Sequence, residues 1–231
     1  MNYISQEQTT DSKEFYLPFM NLLTPDQTDF IAKNSNVVRY KNRDVIFLQN
    51  TRTSHIMFIK TGLVKVYKEG RNGKVLIIRI DTPTNFLGLM SVFGHDIHQY
   101  SAAAIDNTEI CFIDITSFRN LIKENGMFAL KLMNILSLEG LFLFDRVMSQ
   151  SHKQLPGRIA DVLLYFAEKI YHSTTFTLPL TRRELAELAG TTKESFIRTL
   201  TEFKNDKIID LDGSNVEIKS VKIIKTLSEL G

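Results

Sequence analysis

The chain has 231 residues, which is long enough for two domains of ordinary size. Apolar residues make up 43% of it and charged residues 23%, a composition that belongs to an ordered globular protein and excludes a linker or a disordered tail. The formal net charge of +2 is too small to indicate a polyanionic partner by itself.

The reactive and metal-binding side chains exclude several classes of protein. Cys111 is the only cysteine, so neither an intrachain disulfide nor a cysteine-rich zinc or iron–sulfur site can form. The five histidines are scattered, and the sequence shows no nucleophile–base set, glycine-rich phosphate loop or metal-ligand spacing. We therefore expect neither an enzyme nor a metal site.

Two stretches bear on the location of the protein in the cell. Residues 1–17 are polar and lack the apolar core of a signal peptide, and we interpret them as an N-terminal arm. The most apolar stretch, 127–148, is interrupted by charged and polar residues, which argues against a membrane span. We therefore expect a cytoplasmic protein without a membrane partner.

The first half of the chain predicts one helix followed by many short strands. Thr24 can cap a helix, Pro25 suits its first position and Gln27 closes a capping box. Between residues 37 and 113, short runs rich in Val, Ile and Phe alternate with turn signals. This texture predicts an antiparallel sandwich or barrel, to which we assign residues 18–126.

Helical spacing begins at Asp114 and continues to about His152, and we assign residues 127–152 to one long helix. Apolar or small residues recur along it in alternating steps of three and four, the spacing of a two-helix coiled coil. A core helix inside a monomer would show the same spacing and stays an alternative. The predicted dimer seam consists of Met133, Leu136, Gly140, Leu143 and Val147.

After a polar hinge at residues 151–157, the second domain, residues 153–231, contains a helix-turn-helix pattern. Thr181 and Glu184 form a capping box, and Gly190 ends the helix that they open. Either of the two threonines that follow can cap a second helix to about residue 204. Two helices joined by such a glycine turn form a helix-turn-helix motif.

The second helix of the motif predicts contacts with duplex DNA, because its N-terminal half enters the major groove in such proteins. Arg198 can donate two hydrogen bonds to guanine, and Glu194 can accept one from cytosine. Thr192 and Ser195 are placed for phosphate contacts. The predicted DNA-binding residues are Thr192, Lys193, Glu194, Ser195, Ile197 and Arg198.

The number of charged residues does not support this prediction, because the chain from Pro156 onward contains 11 Lys and Arg residues and 11 Asp and Glu residues. Glu194 could serve only as a capping carboxylate after Thr191, and Lys193 and Arg198 could be solvated helix charges. A hairpin with a tight turn at Gly213 follows the motif directly, which favours a winged helix.

The order of these elements resembles the cyclic-AMP receptor protein/FNR (Crp/Fnr) family of bacterial regulators, from about residue 18 to 219. The resemblance implies an α+β fold with an N-terminal cyclic-nucleotide-binding-like β-barrel (jelly roll), a long dimerisation helix and a C-terminal winged helix-turn-helix. It also implies a homodimeric transcription regulator, activator or repressor, that binds a pseudo-palindromic site in double-stranded DNA and acts with RNA polymerase. Relatives use the Glu and Arg at the places of Glu194 and Arg198 to read bases. The motifs that carry the resemblance are PGRIA at 156–160, LTRRELA at 180–186, GTTKESFIR at 190–198, GLVKV at 62–66 and FLG at 86–88.

The same resemblance predicts that cyclic AMP is not the effector. Relatives that bind it carry a Glu just after the Phe-x-Gly turn and an Arg before a Ser-Ala pair, where this chain has Leu89 and Tyr100. Both charge-assisted contacts are therefore lost. The pocket is expected to bind an unknown, less polar small-molecule effector or to be filled by its own side chains. Its predicted residues are Phe86, Leu87, Gly88, Leu89, Tyr100, Ser101, Leu143 and Phe144.

Two alternatives stay open from the sequence. We predict no cofactor, but the first alternative is a haem-based gas or redox sensor of the same family, in which histidine or methionine side chains would bind the iron. The other alternative is a ligand-binding module without DNA activity. The haem candidates are His95, His98 and His152, with Met57 or Met90 as partners.

Overall fold

The computed structural model describes residues 19–94 and 96–231, so the predicted arm and His95 lie outside the described residues. The chain divides into two compact units. The N-terminal unit runs to residue 69 and resumes over 80–140, and the C-terminal unit consists of 70–79 and 141–231.

The first half of the chain contains two four-stranded sheets, which confirms the predicted jelly-roll barrel. Its first helix, α1 (Pro25–Lys33), begins with the predicted capping box, in which Thr24 and Gln27 exchange two hydrogen bonds of 3.2 Å. The sheets have the strand orders β1-β8-β3-β6 and β2-β7-β4-β5. The strands are β1 (Ser35–Tyr40), β2 (Val45–Phe47), β3 (His55–Thr61), β4 (Val64–Glu69), β5 (Val75–Asp81), β6 (Phe86–Leu87), β7 (Ser101–Ala104) and β8 (Thr108–Asp114).

Three helices complete this half of the chain: α2 (Leu89–Phe93), α3 (Ile115–Glu124) and α4 (Gly126–His152). The helical stretch predicted from Asp114 to His152 is thus divided at Asn125. Asp114 caps α3 by accepting a 2.8 Å hydrogen bond from the Ser117 amide, and this bond lowers the pKa of the Asp114 carboxyl. Local capping therefore explains where the sheet ends and the helices begin.

Helix α4 is long and apolar enough to cross a membrane, by length and composition alone. The polar interruptions that argued against a span in the sequence are therefore not sufficient by themselves to exclude one. Only 11% of its most apolar window is buried, so most of that surface lacks a partner within the described chain.

The C-terminal unit is a helical bundle with a three-stranded sheet of order β10-β11-β9. The hairpin of β10 and β11 turns at Gly213 and Ser214, as predicted. Strand β9 and helix α8 were not predicted. The elements are α5 (Leu155–Leu164), a π-helical segment (Tyr165–Ile170), β9 (Thr175–Thr177), α6 (Arg182–Ala189), α7 (Lys193–Asn205), β10 (Ile209–Asp212), β11 (Asn215–Ile218) and α8 (Val221–Leu230).

The hinge is shorter than predicted and consists of Lys153 and Gln154, because α4 continues to His152 and α5 begins at Leu155. Asp161 of α5 holds this junction. Its carboxylate pairs with Lys153 Nζ at 2.8 Å and accepts hydrogen bonds from the hydroxyls of Ser149 at 2.8 Å and Ser228 at 2.5 Å. One carboxylate thus joins the end of α4, the hinge and α8.

Candidate nucleic-acid interface and effector pocket

The first helix of the predicted motif begins and ends at the predicted residues. The Glu184 amide donates to the Thr181 hydroxyl at 3.3 Å, and the Glu184 carboxylate accepts from the Thr181 amide at 2.9 Å. Gly190 ends α6 with a φ of 65°, in the left-handed region that favours glycine. Ala186, at the crossing with α7, is buried.

The second helix, α7, is capped by Thr192 and not by Thr191. The Thr192 hydroxyl accepts a 3.2 Å hydrogen bond from the Ser195 amide. Since Ser195 therefore occupies the third helical position, Glu194 does not close a capping box. The apolar side of α7 is buried, as predicted, through Phe196, Leu200 and Phe203.

The opposite side of α7 presents a group of exposed residues at its N-terminal half: Lys193, Glu194, Ile197 and Arg198. Within the part of the chain that the structure describes, the three charged side chains have no ion pair or hydrogen bond. Nearby charges are engaged, as in the 3.0 Å ion pair between Arg183 and Glu187. The free donors and acceptors thus lie together on the surface that such motifs place in the major groove.

The contacts between the motif and its wing were not predicted from the sequence. The Arg182 guanidinium, at the start of α6, donates to the Gly213 carbonyl in the turn of the β10–β11 hairpin. Lys204, at the end of α7, donates to the Leu211 carbonyl at 2.7 Å. Both helices are therefore hydrogen-bonded to the wing, and the contact from Arg182, which joins residues 31 positions apart, leaves no local signal in the sequence.

The residues predicted to line the effector pocket in the N-terminal unit are core residues. Leu87 and Tyr100 pack in one hydrophobic cluster with Phe47, whereas Phe86 and Leu89 pack in a second cluster with Phe58 and Phe118. The Ser101 hydroxyl is buried and accepts from the Gln49 amide at 2.9 Å. Leu143 of the C-terminal unit is half-buried, and Phe144, predicted to face the pocket, is 71% exposed on α4.

Tyr100 is the residue for which the resemblance implies an arginine in relatives that bind cyclic nucleotides. Its hydroxyl accepts a 2.9 Å hydrogen bond from the Gly88 amide, at the N-cap of α2. The backbone at Gly88 has a φ of 86°, which favours glycine. The Tyr100 hydroxyl therefore satisfies a buried amide that would otherwise face an empty pocket.

His98 lies against the same turn. Its ring stacks on Phe47 with centroids 3.9 Å apart, and it is 3% exposed. Among the residues that the structure describes, the Nδ1 atom has no hydrogen-bond partner, and burial lowers the pKa of the imidazole to about 4. A Cβ atom at Gly88 would lie 3.4 Å from both His98 and Met57, so these side chains fill the space beside the turn.

This packing does not fit a haem. His98 and Met57, two of the predicted ligands, both pack on Gly88, and the His98 ring is covered by Phe47. A porphyrin between them would have to displace the aromatic stack. Of the other candidates, His152 is exposed at the end of α4, and Met90 lies on α2.

Comparisons with known proteins agree with this architecture. Residues 37–125 match the model of the cyclic nucleotide-binding domain, and residues 157–226 match that of the Crp-like helix-turn-helix domain. The chain is 24% identical to the transcriptional activator protein Anr of Pseudomonas protegens, over 86% of this chain and 82% of Anr. It is 21% identical to the cAMP-activated global transcriptional regulator CRP of Salmonella typhimurium, over 84% of this chain and 95% of CRP. The structure of FixK2 from Bradyrhizobium japonicum superimposes with a TM-score of 0.77, at 21% identity, covering 84% of this chain and 96% of that one.

Fold and site together define a DNA-binding regulator with a cyclic-nucleotide-binding-like domain and a winged helix-turn-helix. The chain belongs to the Crp/Fnr family of transcription regulators.

Proposed function

We propose that this regulator is a cytoplasmic homodimer that reads a pseudo-palindromic operator with α7 and acts with RNA polymerase. Regulators of the family bind DNA and act as dimers with RNA polymerase. The observation that carries the proposal is the set of unpaired, exposed side chains at the start of α7. Glu194 and Arg198 read bases, Lys193 and Ile197 contact the groove, and Thr192 and Ser195 contact phosphate.

The exposed surface of α4 supports the dimer, and we propose a seam that is shifted from the one predicted from the sequence. Leu136 of the predicted seam is half-buried and packs against the core of the N-terminal unit. The residues one position further along the sequence, about 100° further round the helix, are exposed. This shifted seam keeps the steps of three and four, and Leu141 within it is 59% exposed. The shifted seam is Leu130, Asn134, Ser137, Leu141, Phe144, Met148 and Ser151.

If a second chain packs on this seam, the exposed apolar surface of α4 is covered by protein, and a membrane is not needed to explain it. Met133 and Val147 of the predicted seam are exposed beside it and would border the interface. A Cβ atom added at Gly140 would have no contact within 4 Å outside its own helix in the described part of the chain, which leaves room for a close approach of the partner helix. Pairing along α4 would set the two α7 helices about 34 Å apart.

For the sensor domain we propose a pocket that is occupied by its own side chains. The Tyr100 hydroxyl accepts a hydrogen bond from the buried Gly88 amide, and the stacked rings of Phe47 and His98 fill the adjoining space. No charged side chain replaces the Glu and Arg that the resemblance assigns to cyclic-nucleotide binding, at Leu89 and Tyr100. DNA binding by this chain therefore needs no cyclic nucleotide.

Selection of binding sites from randomised duplex DNA tests the proposed function. We expect the wild-type protein, without any added ligand, to enrich inverted repeats whose half-sites are centred about 10 base pairs apart. Enrichment of single, unpaired sites would contradict the dimer, and failure to enrich any sequence would contradict the reading of DNA.

Isothermal titration calorimetry tests the occupied pocket. We expect no binding heat when cyclic AMP or cyclic GMP is titrated into the wild-type protein at millimolar concentration, because both charge-assisted contacts are lost. Saturable binding in the micromolar range would overturn the proposal for the sensor domain and leave the DNA-binding proposal standing.

A further inference from the structure

The C-terminal end of α6, directly before the turn into α7, is bound by three side chains from outside the motif. An α-helix leaves its last carbonyl groups without partners in the helix. Arg146 Nη2 donates to the Leu188 carbonyl at 2.7 Å, and Arg158 Nε donates to the Ala189 carbonyl at 3.1 Å. Gln150 Nε2 reaches the same Ala189 carbonyl at 3.4 Å.

These donors belong to the elements on either side of the hinge. Arg146 and Gln150 lie one turn apart near the end of α4, and Arg158 lies in α5. Arg146 also donates to the Ile77 carbonyl at 3.3 Å, and Arg158 Nη1 donates to the Lys153 carbonyl at 2.8 Å. The positive charges suit the negative end of the α6 dipole.

Gln150 contacts the turn itself as well. A Cβ atom at Gly190 would collide with the Gln150 side-chain amide. Gly190 therefore serves two purposes, since it adopts the left-handed conformation and leaves space for a side chain of α4. The end of the proposed dimerisation helix lies directly on the turn between α6 and α7.

We propose that Arg146 and Gln150 are positioning residues for DNA recognition, which attach the last turn of α6 to α4 and so set the direction in which α7 is presented relative to the dimer axis. This inference rests on the proposed dimer along α4. Neither residue contacts DNA in it. Their effect is on the distance and angle between the two α7 helices, and hence on the half-site spacing that the dimer accepts.

The test compares operators that differ only in spacing. The operator selected by the wild-type protein is used alongside derivatives with one base pair added or removed between the half-sites, a shift of about 3.4 Å. A duplex with a single half-site serves as the reference.

The variants are Arg146→Met with Gln150→Ala, and Gln150→Ala alone in case the double variant does not fold. Arg146 borders an open cleft of about 540 Å³, so methionine leaves no closed void there. Arg39→Met, which removes an exposed charge from β1, is the matched control.

We expect the wild type and the control to prefer the selected spacing by about tenfold or more, which corresponds to about 1.4 kcal/mol. The variants should reduce this preference to about threefold or less while their affinity for the single half-site stays within about twofold. An unchanged spacing preference, or a parallel loss on all duplexes with a lower melting temperature, would overturn the inference while the proposed function stands. A wild type that binds no duplex would overturn both.

Discussion

At the scale of single residues, the sensor domain has aromatic packing where the resemblance implies a charged contact. The Tyr100 ring packs with Phe47, and its hydroxyl accepts a hydrogen bond from the Gly88 amide. Removing a partner from a buried amide costs about 1–3 kcal/mol. Tyr100 therefore contributes to folding at a position where relatives that bind cyclic nucleotides hold their ligand.

His98 makes the stability of this domain depend on pH. Burial lowers its pKa to about 4, from the ordinary value of 6.5 for a histidine. Between these values the unfolded chain binds a proton that the folded chain does not, so the free energy of unfolding falls as the pH falls through this window. We expect a loss of about 2 kcal/mol from this residue between pH 7.5 and pH 5.

Urea unfolding of the wild type and His98→Phe at both pH values measures this loss, because phenylalanine keeps a ring on Phe47 but cannot be protonated. The wild type should lose about 2 kcal/mol more than the variant. Equal losses in the two proteins would show that His98 is not buried as a neutral ring.

At the scale of elements, the orientation of α4 distinguishes a core residue from an interface residue on the same helix. Leu136 is half-buried and packs against the core, whereas Leu141 is 59% exposed. We expect Leu141→Asp to convert the dimer to a folded monomer, because an aspartate between the two helices would be buried without a partner. Leu136→Asp should instead destabilise the N-terminal unit, because its charge would lie against the apolar core.

Sedimentation velocity with circular dichroism separates these results. We expect Leu141→Asp to sediment as a monomer with the melting temperature of the N-terminal unit retained. A dimeric Leu141→Asp protein together with a monomeric, folded Leu136→Asp protein would restore the seam predicted from the sequence.

At the scale of the whole molecule, local signals were sufficient for the motif and the order of elements. The capping box at Thr181 and Glu184 and the left-handed turn at Gly190 depend on neighbours within a few residues, and both are present as predicted. The short strands of the barrel were likewise readable from composition and turns. Elements without a strong boundary signal, such as β9 and α8, were missed.

The dimer seam on α4 and the contacts at the end of α6 could not be predicted from local sequence signals. Two neighbouring faces of α4 both carry apolar residues in steps of three and four, and only packing of Leu136 against the core decides between them. The hydrogen bond from Arg146 to Leu188 joins residues 42 positions apart and leaves no pattern in the sequence. The residues predicted to line a pocket likewise form a packed cluster. One of its contacts is the hydrogen bond from the Gly88 amide to the Tyr100 hydroxyl, which joins residues 12 positions apart and was not predicted.

The reading of bases by α7 is tested most directly with Arg198→Ala on the selected operator and on duplexes changed at one base pair at a time. Fluorescence anisotropy should show a loss of about 1–3 kcal/mol on the operator and no remaining preference at one position of each half-site. Thr192→Ala should instead weaken binding to all duplexes alike, because it affects the helix cap and a phosphate contact. Unchanged operator affinity and unchanged base preference in Arg198→Ala would contradict the docking of α7 in the major groove.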